Sequence, residues 1–130
     1  MRRLPVFVFL LATLTACHPG ETACSAIGLS EGISLEISPE VAAGVTRVSL
    51  ELCWAGACVT ESAPGGVHVF IPTQGLPTTP VRTTVTLDDG KPQVLDVTPA
   101  IAYPVNEACG GGVPVAKLVV TPGGEVRQGP

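Results

Sequence analysis

Glycine and proline recur so often in this chain that no long helix fits beyond residue 16. There are 15 glycines and 13 prolines in 130 residues. Proline removes an amide donor and clashes with the preceding helical turn, while glycine is entropically costly inside a helix. Nowhere after residue 16 do apolar residues recur at helical spacing over three turns. Val, Thr and Ile fill the intervals instead, and these side chains suit a pleated, half-buried surface. Ile33-Ser34-Leu35-Glu36-Ile37 alternates apolar with polar, and Val48, Leu50 and Leu52 alternate with Ser49, Glu51 and Cys53. Further strands are expected over 58–61, 67–71, 81–87, 93–103 and 115–121. Asp88-Asp89-Gly90-Lys91 reads as a hairpin turn, with Gly90 supplying the positive φ. Alternation of period two means that one face of each strand is buried.

About seven short strands with turns between them predict an all-β fold, an antiparallel sandwich of immunoglobulin-like or fibronectin-like size. The immunoglobulin hallmark itself is absent, because Cys53 and Trp54 are adjacent rather than a strand apart. The longest expected loop spans 72–80, and the chain from 113 onward ends in a Gly/Pro tail. No internal repeat interrupts the pattern.

The amino terminus follows a different logic. Arg2 and Arg3 precede thirteen uncharged residues, 4–16, matching the basic and apolar regions of an export signal. Thirteen residues of helix reach roughly 20 Å, short of a hydrocarbon core of about 30 Å, so a permanent membrane span is not expected. Cutting after Ala16 would put Leu14 where an ordinary signal site wants a small residue. Leu14-Thr15-Ala16-Cys17 instead resembles the lipobox of bacterial lipoproteins. The resemblance implies diacylglyceryl transfer to the Cys17 thiol and cleavage before it, leaving Cys17 as an acylated first residue. Two or more acyl chains anchor stably where one holds only marginally. The expected organisation is a signal peptide over 1–16, a lipidated tether over 17–32 and a β-sandwich domain over 33–130.

Without residues 1–16 the chain keeps five basic and eleven acidic side chains, a net charge of −6. Arg47, Arg82, Lys91, Lys117 and Arg127 are scattered and form no stripe that could follow phosphates. Nucleic acid is therefore not an expected partner. Trp54, Phe70 and Tyr103 are the aromatic residues left, too few for a stacking platform.

Cys24, Cys53, Cys58 and Cys109 remain after Cys17. An even count in an exported chain reads as two disulfides, in any of three pairings. A hairpin with a four-residue loop over 54–57 would set Cys53 opposite Cys58, near bridging distance. Cys24 and Cys109 would then pair. On the chain-entropy model the local bridge contributes at most about 2 kcal/mol and the distant one about 4.6 kcal/mol. No second cysteine pair or histidine cluster supports a zinc site, and Cys-x-x-Cys redox spacing is lacking.

Other motifs favour structural roles. Cys109-Gly110-Gly111-Gly112 lacks the Gly-Lys-Ser/Thr of a phosphate loop and suits a close backbone approach. Asp88-Asp89-Gly90 lacks the spaced carboxylates of a calcium loop. His68 has no positioned nucleophile beside it in sequence. Trp54, placed in the hairpin loop, is expected to pack against the disulfide or to serve as an aromatic contact for a partner. No catalytic, cofactor-binding or metal-binding set emerges.

With its lipobox, "ACSAIG" at 23–28, "LCWAGAC" at 52–58 and "YPVNEACGGG" at 103–112, the chain resembles a group of small actinobacterial lipoproteins without assigned activity. That resemblance implies a location and no chemistry beyond Cys17. The expectation is a non-enzymatic envelope lipoprotein on the outer face of the membrane, binding or structural in role, with an envelope protein or glycan as partner. A small-ligand carrier is the alternative, and so few large side chains leave little room for a typical pocket.

Overall fold

The computed structural model describes residues 23, 24 and 26–130. The signal segment, Cys17 and the tether residues 18–22 and 25 lie outside the described residues. Nine strands follow in order: β1 (Gly32–Ile37), β2 (Arg47–Trp54), β3 (Ala57–Pro64), β4 (His68–Pro72), β5 (Val81–Leu87), β6 (Gln93–Val97), β7 (Ala100–Ala102), β8 (Val113–Val120) and β9 (Val126–Gln128). A one-turn helix, α1 (Pro39–Ala42), follows β1, and a 3-10 turn at Glu107–Cys109 precedes β8. The fold is all-β. One sheet has the order β4-β1-β8, with β7 and β9 both paired to the far side of β8; the other runs β3-β2-β5-β6.

Nine strands rather than about seven arise for local reasons. The stretch 93–103 breaks at Thr98-Pro99, where proline cannot donate to a ladder, and its halves join different sheets as β6 and β7. The Gly/Pro tail supplies β9, which turns back onto β8 through the 121–125 link.

Alternation decides what is buried. Ile33, Leu35 and Ile37 of β1 and Leu118 and Val120 of β8 face Val48, Leu50 and Leu52 of β2 and Val81 and Val85 of β5 in one cluster. That cluster is aliphatic throughout, so the three aromatic residues stand at its margin: Trp54 and Tyr103 are half-buried and Phe70 is exposed. Two buried threonines satisfy their own hydroxyls, Thr83 donating to Val81 O and Thr73 to Ile71 O. No described side-chain polar atom is buried without a partner.

One flank of the sandwich is closed by two glutamines. Gln93 at the start of β6 donates to Gly124 O at 2.7 Å and accepts from Val126 N at 3.0 Å. Gln128 of β9 donates to Thr98 O at 2.8 Å and accepts from Thr98 N at 3.0 Å. Each primary amide imitates a peptide group and continues the ladder between sheets. On the opposite flank, between β3 and β4, β3 is exposed along nearly its whole length.

The sandwich has two distinct ends. At one, α1 and the links 43–46, 65–67, 88–92 and 121–125 gather. Asp88 organises this end: its Oδ1 accepts from Thr46 N, Thr46 Oγ1 and Arg47 N at 3.0, 2.8 and 2.8 Å. Asp88, with φ 51°, takes the left-handed conformation that the sequence assigns to Gly90, because those three bonds hold it there. The Thr46 hydroxyl and then the two amides hold the Asp88 carboxyl below its ordinary pKa.

Two outcomes check this description. Gln93→Glu puts an acceptor against Gly124 O and should cost about 1–3 kcal/mol in chemical denaturation, more than Gln128→Glu at its more exposed clasp. For Asp88 the folded pKa is lowered, so its stabilisation is present above the unfolded pKa of about 3.9 and is lost as pH falls through the folded value. Asp88→Asn should lower the melting temperature at pH 7 by more than Asp89→Asn. The gap between Asp88→Asn and wild type should then close on acidification below the ordinary aspartate range.

Candidate functional site at the bridged end

Strand register gathers every feature singled out by its cysteines at the other end of the sandwich. Gly32, opening β1, pairs with Pro72 at the end of β4 and with Val115 near the start of β8. Ala102, closing β7, pairs with Val113. In the second sheet Cys53 pairs with Arg82 near the start of β5, and Val81 with Val97. The short 65–67 link sets the end of β3 beside the start of β4, so the start of β3 and the end of β4 also share an end; Val59, Pro72 and Thr73 line one recess there.

Both disulfides form, with the expected connectivity. Cys53 and Cys58 are direct partners on β2 and β3, Cα atoms 4.1 Å apart. The connecting turn is shorter than the sequence suggests: Trp54 pairs with Ala57, leaving only Ala55 and Gly56 at φ 51° and 77°. Two left-handed residues match the right-handed strand twist. They also make 53–58 the non-hydrogen-bonded pair next to the turn, where Cα atoms approach most closely.

Cys24 and Cys109 are bridged with Cα atoms 5.4 Å apart across 85 residues. Local chemistry aims Cys109. Asn106 accepts from Cys109 N at 3.0 Å and caps the 3-10 turn. Gly110 and Gly111 then adopt φ 69° and 74°, which L side chains resist, and Gly112 lies flat against the Tyr103 ring and Ile101. The glycine run thus lets the chain turn under an aromatic ring.

On the outer face of the second sheet Glu51, Cys53, Trp54, Gly56, Cys58 and Arg82 border an open recess of about 650 Å³. Glu51, Cys53 and Cys58 bring their ligand atoms within 4.8 Å of one another. With both sulfurs in the bridge there is no thiolate to bind a metal, and the 3.7 Å approach of Cys53 Sγ to Glu51 is a contact, since a bridged sulfur has no proton to donate.

Trp54 occupies the last position of β2 rather than a loop, half-buried against the core. His68 is exposed on β4 opposite Glu36. Glu36 also pairs with Lys117 at 2.8 Å, and the hydrogen bond from that ammonium, followed by its charge, lowers the Glu36 pKa. This trio lies on the outer face of the first sheet.

Four exposed aliphatic side chains also stand at this end. Ile27 is 75 % exposed, and Leu29, Ile101 and Val105 are exposed at 42, 44 and 39 %. Their signal was available as apolar residues lying outside an alternating strand pattern or at its end. No protein-family model, curated protein or solved structure matches the chain.

The two bridges should differ in what they stabilise. The Cys24 end lies in exposed coil before β1, so breaking that bridge also releases native chain entropy and trims its effect below the model limit. Cys24→Ala/Cys109→Ala should cost about 2–4 kcal/mol and Cys53→Ala/Cys58→Ala at most about 2 kcal/mol, read by denaturant titration. A larger loss from the local pair would reverse the ranking.

Proposed function

We propose that this chain is an envelope lipoprotein, held by acylated Cys17 at the extracytoplasmic face of a membrane and serving as a non-enzymatic binding or structural module. The observation that carries the reading is the lipobox cysteine standing seven positions before a cysteine that is bridged into the domain. Disulfides persist in oxidising, extracytoplasmic compartments, and two of them tie this small domain. Within the all-β class the proposed architecture is a sandwich of immunoglobulin-like or fibronectin-like size, with its own strand order.

A small-ligand carrier is the weaker reading. The space between the sheets is filled by the aliphatic cluster, with Leu50, Leu52, Val48 and Leu118 at 0 % exposure. A carrier would need a cavity of about 300–1,000 Å³ enclosing its ligand, and the recess beside Trp54 is open to solvent.

Cys17→Ser should abolish acylation and either leave the precursor uncleaved or release the domain from the membrane fraction. Normal processing with retention in washed membranes would contradict the anchor.

A further inference from the structure

From the placement of four exposed aliphatic side chains we infer that the bridged end of the domain rests on the lipid surface, with Ile27, Leu29, Ile101 and Val105 against the headgroup–acyl boundary. The inference builds on the Cys17 anchor and adds an orientation and a contact surface to it. Among the described residues eight large apolar side chains are exposed, and these four fall in the segments around the Cys24–Cys109 bridge. Toward the opposite end the exposed large apolar residues are Val67 and Val94, and Val59 and Phe70 stand singly on their strands. Apolar groups concentrated at one end mark a contact surface, whereas isolated ones need no explanation.

Tether length identifies what covers them. Six residues, 18–23, lie between Cys17 and Cys24, and an extended chain reaches at most about 3.3–3.6 Å per residue, so roughly 20 Å in all. The bridge pins Cys24 to Cys109 at a Cα distance of 5.4 Å. The parallel pairing of β1 with β8 sets Gly32 beside Val115, so the segments 26–31 and 103–112 emerge at the same end. That end therefore stays within roughly 20 Å of the bilayer while Cys17 is acylated. Charge agrees with an apolar contact: the spans 23–31 and 100–113 contain Glu31 and Glu107 and no lysine or arginine. An anionic surface offers them no attraction, so contact depends on the aliphatic side chains, with half-buried Tyr103 among them as an aromatic suited to the interface.

The test uses the acylated mature protein in phosphatidylethanolamine/phosphatidylglycerol vesicles that carry a phospholipid with a photoactivatable diazirine in its acyl chain. After flotation and irradiation, labelled positions are mapped by mass spectrometry. Segments 26–31 and 101–108 should carry severalfold more label than 65–68 and 88–93. Ile27→Asp/Val105→Asp should bring their label down to the level of the opposite end, with both disulfides and the melting temperature kept. Acylated protein that floats but is labelled evenly, or mainly at Phe70, would overturn the inference alone. Protein isolated from membranes that carries no acyl chain on Cys17 would overturn the anchor, and the inference with it.

Discussion

The parallel pairing of β1 with β8 is the constraint on which the arrangement rests. Every other pairing among the described residues is antiparallel, and antiparallel neighbours in a hairpin meet at a turn. Parallel neighbours begin at the same end. Because Ile33 pairs with Ala116 and Ile37 with Val120, the chain entering β1 stands beside the loop that enters β8. Only then can Cys24 reach Cys109. The long bridge thus records the sheet topology and fixes where the amino-terminal segment leaves the domain.

Two devices hold this central pair in place. On its inner face the aliphatic cluster packs Leu35, Leu118 and Ile37 against the second sheet; burying such a side chain contributes about 1.5–3 kcal/mol each. On its flank, β9 is locked to the second sheet by the Gln93 and Gln128 clasps. Asp88 secures the far end through Thr46 and Arg47. With the far end fixed by hydrogen bonds and the near end by sulfur, a core without aromatic residues suffices for a small domain.

Much of this was legible in local patterns. Alternation located β1, β2 and β5 because each has one face on the core, and the hairpin spacing of Cys53 and Cys58 named both bridges. Three features were not legible. The pairing of β1 with β8 joins segments some eighty residues apart and leaves no mark in either strand. The two-residue turn at Ala55-Gly56 leaves little signal because alanine rarely takes positive φ, and Trp54 therefore falls in the loop by sequence pattern. Asp88 took the left-handed position from Gly90 because Thr46 and Arg47, distant in sequence, supply its partners. The exposed group of Ile27, Leu29, Ile101 and Val105 became meaningful only once the bridge and the parallel pair brought those segments to one end.

That end is where the proposed anchor meets the fold, since the long bridge ties the segment that follows Cys17 to it. The most direct measurement is the intact mass of the amino-terminal peptide from protein extracted out of membranes under non-reducing conditions. The account predicts a chain beginning at Cys17, carrying a thioether-linked diacylglyceryl group, with Cys24 still bridged to Cys109. An unmodified Cys17, or a chain starting at another residue, would contradict it.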